Sequence, residues 1–580
     1  MAPAKHDDDP VAAPPPPPPH FVLVPLMSQG HIIPNMDLAR LLAARGVRVS
    51  VVVTPLVAAR LQGAGDQAAR AGLPLELVAL PFPPPDSGLP PDCQSVDMLA
   101  DGNQTRRFYD ALRGLAGPLD AYLRALAPRP SCIVADWCCT WTAGVARGLG
   151  IPRLVFAVPS CFFSLCQLCA ADHGLHERLR LLSSDADDQE QQYLLPGMPI
   201  PVKVTKATAP GIFISPGWEK YRAESMEAMR TADGAVVNTF LDIEGQFVAC
   251  YEAALGMPVW ALGPLSLANQ GDAEFTASRG ESSSSSPAAV AQQAAIMAWL
   301  DWQDPGSVLY VSFGSISRKL PGQLLEVGHG LEDAGEPFLW VVKESEVAGK
   351  PEVEQWLAAL EARTAGRGLV VRGWVPQLAV LAHRAVGGFL THCGSNSLLE
   401  AISLVDRSKQ YVHLQTGGEC VHMQGGGNLH AGASVRGVPI CAAEEWKWPT
   451  GRSDLHGVNV QPGRASVSCE SWANIVHGVP MVTWPHFCDQ FMNEVLAVDV
   501  LGVGVPVGVT APVSILDDEA VLVVRGDIVR AVSELMGHGE EAHVRRRKAH
   551  EYGEKARRAM ETGGSSYENL TRLIECFSSN

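Results

Sequence analysis

The chain has 580 residues, 47% hydrophobic and 18% charged, enough apolar material for two domains with cores of their own. A formal net charge of −17 argues against a nucleic-acid partner, whose phosphates need a basic surface. The 14 cysteines follow no regular spacing, which fits reduced thiols in a cytoplasmic protein better than a disulfide framework.

Residues 1–19 carry six consecutive prolines and an Asp-Asp-Asp run, and are expected to be a disordered Pro-rich tail without the apolar core of a signal peptide. No stretch reaches the ~20 apolar residues that span a bilayer. Phe21–Leu26 is a continuous apolar run, as in a buried parallel strand. Residues 28–34, SQGHIIP, read as a turn, residues 35–46 as a helix stopped by Gly46, and residues 47–54 as a second strand, giving a βαβ unit. Further strands are expected at 131–136 and 152–158. The Ser-rich stretch 267–287 lacks periodicity and reads as a linker between an N-terminal domain, 20–266, and a C-terminal one, 288–560. After it, 307–315, 369–376, 386–394 and 480–485 are strand-to-turn units. Residues 540–560 have helical spacing with mixed charge, and 561–580 close the chain as a helix or tail.

Every chemistry-bearing cluster follows a strand, where ligands bind in parallel α/β folds. Residues 391–400, THCGSNSLLE, open a helix. Gly394 lets a backbone approach a ligand, and Asn396, Ser397 and His392 sit where helix N-terminal N–H groups attract anions. The same residues also suit plain N-capping. Glu400 reads as a ribose acceptor or a solvated helix residue. Trp374 and Gln377 offer a flat face and an amide for a base, or a core indole and a turn. No GxxxxGK[ST] is present and no GxGxxG follows the first strand, which weakens ATPase and dinucleotide oxidoreductase readings.

Residues Trp374–Glu400 and His477–Gln490 resemble the two halves of the nucleotide-sugar box of plant UDP-sugar glycosyltransferases. The resemblance runs from about residue 20 to 578. It implies an α/β fold of two facing Rossmann-like domains (GT-B architecture) with the active site in the cleft between them. It implies a metal-independent, cytoplasmic and monomeric enzyme that uses UDP-glucose as donor substrate and no cofactor. The N-terminal stretch resembles the subgroup that glycosylates flavonoids, terpenoids and hormones, so the acceptor is expected to be a small lipophilic metabolite. Carried over by position, Trp374 and the Val375 backbone hold uracil, and Gln377 and Glu400 the ribose. Ser315, His392, Gly394, Asn396 and Ser397 face the diphosphate, and Asp489 and Gln490 the sugar. His31 matches the catalytic base and Asp136 the acid that orients it. The chemistry is coherent: a neutral imidazole takes the proton of an acceptor hydroxyl, and a carboxylate behind it stabilises the imidazolium.

The chain departs from the family twice. Ser395 stands where the family has Trp, removing roughly 150–250 Å² of potential contact area. The box also spans 117 residues here instead of the family's 44, because Leu404–Val476, 73 residues with no sustained period, lies inside it. Such an insert is expected to be irregular, as an unspliced intron would be. Its Cys420, His422, His430 and Cys441 match no zinc spacing. Together the departures leave a second reading open, a catalytically impaired nucleotide-sugar or metabolite-binding protein.

Overall fold

The computed structural model describes residues 18–99, 102–180, 191–211, 217–269, 287–315, 321–403, 478–512 and 523–578, with six short strands between 405 and 476. Most of the Pro-rich tail and of the Ser-rich linker lie outside these residues, as do His430 and Cys441.

Seven strands form the first sheet: β1 (His20–Val24), β2 (Arg48–Val53), β3 (Leu75–Ala79), β4 (Cys132–Asp136), β5 (Arg153–Ala157), β6 (Gly234–Val237) and β7 (Val259–Ala261). Their order is β3-β2-β1-β4-β5-β6-β7, and every pairing is parallel. All but β3 are buried along almost their whole length, which is why they read as unbroken apolar runs. The second sheet holds β8 (Val308–Ser312), β9 (Phe338–Val342), β10 (Gly368–Arg372), β11 (Val386–Thr391), β12 (Met481–Thr483) and β13 (Gly504–Pro506). It runs β10-β9-β8-β11-β12-β13, again all parallel. Both sheets thus have the doubly wound order, in which strand order reverses between the first and fourth strands and opens a crevice there.

The turn expected at SQGHIIP is instead the start of helix α1 (Gln29–Ala43). Ser28 is extended, with φ −149°, and its carbonyl accepts from the amides of His31 and Ile32, so winding begins directly after it. Pro34 then lies inside the helix. Lacking an N–H, it cannot donate to the carbonyl of Gly30, four residues back.

The chain's end ties the domains together. Helices α4 (Arg525–Met536) and α5 (Glu540–Met560) pack on the second domain, and α6 (Ser565–Ser578) returns to the first. Leu570, Leu573 and Phe577 join the first domain's core, with Phe577 edge-on to Phe21 at 6.1 Å. Each such burial contributes about 1.5–3 kcal/mol.

The insert leaves from the C-terminal end of helix α3 (Ser395–Ser403). Near its start, Val405–Asp406 pair antiparallel with its last residues, Ile475–Val476. Inside it, Gln410–Thr416 pairs with Glu419–Gly425 as a hairpin, where the sequence was expected to be irregular. Tyr411, Val412 and Val421 favour extended backbone, and a Gly-Gly pair separates the strands. The chain re-enters at Gly478, where a Cβ would come within 1.8 Å of the Ala549 carbonyl on α5, so only glycine passes. Just beyond, Phe389, Leu390 and Thr391 pair with Met481, Val482 and Thr483. The two halves of the interrupted box are therefore neighbouring strands.

Candidate active site

A cleft of about 1420 Å³ opens where the C-terminal strand ends of both sheets face each other. All the predicted site residues border it except Asp136, which is buried behind His31.

On the first domain, Asp136 ends β4 and His31 lies in the first turn of α1, next to β1. Adjacent strands bring the two together. His31 Nδ1 and Asp136 Oδ2 are 2.7 Å apart, with the side chains 20% and 0% exposed. Asp136 Oδ1 accepts from the Cys138 amide at 3.0 Å, which fixes the carboxylate. A carboxylate only accepts, so Nδ1 carries the proton and Nε2 keeps a lone pair. Burial alone would lower the imidazole pKa. The charge and hydrogen bond of Asp136, helped by the charge of Asp489, outweigh it and hold the group above its ordinary value.

On the second domain, Gln377 Nε2 donates to Glu400 Oε2 at 2.7 Å and lies 3.1 Å from Ser397 Oγ. Glu400 is buried, which removes the reading of it as a solvated helix residue. Trp374, partly exposed, and Val375 border the cleft beside them. His392 is wedged between two glycines: a Cβ on Gly314 or Gly394 would come within 2.5 or 2.6 Å of its ring. Gly394 thus makes room for an imidazole. Ser315 follows Gly314, which takes a left-handed φ of 70°.

Asn396 Nδ2 reaches across the cleft to the Gly30 carbonyl at 2.6 Å, the one that Pro34 leaves without a helical partner. Asp489 accepts from Ser395 Oγ and from Asn493 Nδ2, both at 2.7 Å. Burial pushes its carboxyl up, against these hydrogen bonds and the nearby His31. Gln490 turns its amide oxygen inward, accepting from the His486 and Phe487 amides at 2.8 and 3.2 Å. The only non-glycine residues with positive φ among the described ones are Cys393, at 62°, and Cys488, at 57°. Both immediately precede donor-side residues, where backbone strain concentrates in functional sites.

Phe162 and Phe163, in the apolar run after β5, are core residues at 0% and 1% exposure and do not border the cleft. Leu26, Ile33, Val96, Tyr109, Val158 and Trp218 line the first domain's side instead. They come from six separate segments, so no local sequence pattern could have grouped them.

A sequence profile described as UDP-glucoronosyl and UDP-glucosyl transferase matches residues 292–404, ending where the insert begins. UDP-glycosyltransferase 73C3 of Arabidopsis thaliana is 35% identical over 561 residues, 96% of this chain and 95% of that protein. UDP-glycosyltransferase 73C11 of Barbarea vulgaris is 34% identical, covering 96% of each. Among solved structures, Glycyrrhiza uralensis UGT73P12, complexed with glycyrrhetinic acid 3-O-monoglucuronide, is similar with a TM-score of 0.75 and 28% identity, over 97% of this chain and 96% of that one. Medicago truncatula UGT71G1, complexed with UDP-glucose, shares the fold with a TM-score of 0.66 at 22% identity, over 97% and 98% of the two chains.

Proposed function

The chain belongs to the plant UDP-glycosyltransferase family, and we propose that it transfers glucose from UDP-glucose to a hydroxyl of a small lipophilic metabolite, with inversion and without a metal. The observation that carries this is the His31–Asp136 pair at 2.7 Å, placed across one cleft from the Gln377–Glu400 and Asp489 cluster. The base and the donor residues belong to different domains and meet only there.

Bound in this orientation, UDP stacks its uracil on Trp374, sets its ribose against Gln377 and Glu400, and directs its diphosphate at the α3 N-terminus. His392, Asn396, Ser397 and Ser315 surround that end. Asp489 and Gln490 receive the sugar; Gln490 has its amide nitrogen left to offer, since its oxygen holds the turn. His31 Nε2 takes the proton of the acceptor hydroxyl as the oxygen attacks the anomeric carbon. The bond from that carbon to the diphosphate breaks on the opposite face, and UDP leaves with the electron pair, stabilised by the helix end. Asp136 holds the imidazolium until product leaves. The apolar lining of the acceptor side selects by size and lipophilicity. The resemblance to UGT73P12 in its glycyrrhetinic acid 3-O-monoglucuronide complex supports an acceptor of that bulk.

The test is UDP release from UDP-glucose against a panel of flavonols, triterpenes and steroid-like hormones. Turnover of at least one is expected. UDP-glucose binding with no turnover on any acceptor would move the assignment to a binding protein.

A further inference from the structure

We propose that Ser395 is a positioning residue, whose hydroxyl links the first domain to Asp489 and fixes that carboxylate toward the sugar. The proposal rests on the reading of Asp489 as a sugar-binding group.

A serine hydroxyl has one proton to donate and two lone pairs to accept with. Ser395 uses all three. Its Oγ donates to Asp489 Oδ2 at 2.7 Å and accepts from Asn493 Nδ2 and from the Ser160 backbone amide, both at 3.0 Å. Ser160 belongs to the first domain, capping helix α2 (Cys161–Asp172), which follows β5. Its own hydroxyl lies 2.7 Å from Asn493 Oδ1. The Asn493 amide has two protons for three acceptors: with the Cys393 carbonyl at 2.8 Å taking one, Asp489 Oδ2 at 2.7 Å and Ser395 Oγ share the other. The result is a closed ring: Ser160, Ser395, Asp489 and Asn493, crossing the domain boundary twice. Ser160 and Asn493 are buried at 7% and 0% exposure, so water competes little for these bonds.

The ring explains how Asp489 stays in place although it follows Cys488, whose backbone is strained at φ 57°. One of its oxygens takes both bonds of the ring, which orients the other. It also changes the meaning of the serine. An indole N–H donates and cannot accept, so Trp at this position would leave the Ser160 amide without its acceptor, while Asn493 keeps Asp489 and the Cys393 carbonyl. The chain exchanges aromatic contact area for a polar link between its domains.

Calorimetric titration of the full chain with UDP and with UDP-glucose separates this role from general stability. Ser395→Ala is expected to weaken UDP-glucose about tenfold while leaving UDP within about twofold, because only the sugar meets Asp489. Ser395→Thr keeps the hydroxyl and is expected to recover most of the loss. Ser160→Gly removes the bond to Asn493 but keeps the amide that reaches Ser395, and is expected to cost less than about threefold. The proposal is overturned if Ser395→Ala binds UDP-glucose as tightly as the unsubstituted chain, if UDP weakens in parallel, or if Ser395→Trp binds UDP-glucose more tightly. An unsubstituted chain that binds UDP and UDP-glucose equally would refute the role of Asp489 itself, and the proposal with it.

Discussion

The two sides of the cleft reach their geometry by different routes. The base side needs one hydrogen bond between residues on neighbouring units of one sheet, β1-α1 and β4. The donor side gathers residues from four stretches of chain, around 315, 374–377, 392–400 and 489–490. Between the last two the polypeptide makes a 73-residue excursion. A local pair is secured by the fold of one domain. A dispersed site depends on the chain returning to register, which it does through the pairing of β11 with β12.

The contrast predicts that the two sides fail differently. The largest effect is expected from His31→Ala: a loss of about 10²–10⁴-fold in kcat, with UDP affinity by calorimetry unchanged. Undiminished turnover would remove His31 from the chemistry. Asp136→Asn is expected to lose about 10²-fold, and to change the pH profile. The neutral imidazole is the active form, so activity falls as pH drops through the His31 pKa. Asp136 holds that pKa above its ordinary value. Without the charge, the acid limb of kcat/KM moves to lower pH; a limb that stays put would deny the coupling. On the donor side, Glu400→Ala leaves Gln377 without its 2.7 Å partner. Affinity for UDP is expected to drop about tenfold, with kcat at saturating donor largely kept. A fall in kcat alone would place Glu400 outside the ribose site.

The smallest effect is expected from deleting Leu404–Val476. The insert departs from the C-terminal end of a nine-residue helix whose N-terminus faces the cleft, roughly 13 Å away. It returns before the N-terminal end of β12, on the same remote side. Activity per folded molecule is expected to stay within about twofold, since closing or opening a loop changes stability only slowly with its length. Activity present only in the shortened chain would show that the insert disables the enzyme.

Much of this was legible in the sequence because parallel strands buried on both faces leave plain signals: apolar runs ending in Gly, Ser and His. His31 and Asp136 could be paired only through the family resemblance, since 105 residues separate them. The helical start at Gln29 was hidden because Gly30 and Pro34 carry turn signals individually. They are tolerated here because the freed Gly30 carbonyl finds Asn396 on the other domain, a tertiary partner that no local pattern contains. Ser395 read as a loss for the same reason. Its partners, Ser160 and Asp489, lie 235 and 94 residues away.

The neck of the insert has a use of its own. Val405 and Val476 face each other across one ladder, so the polypeptide leaves and returns through a gap of about 5 Å. Gly478 then seats the returning chain against α5. This makes the neck a socket. A fluorescent or affinity module whose own termini lie close together could be grafted there in place of the native segment, reporting on the enzyme from the side opposite its substrates.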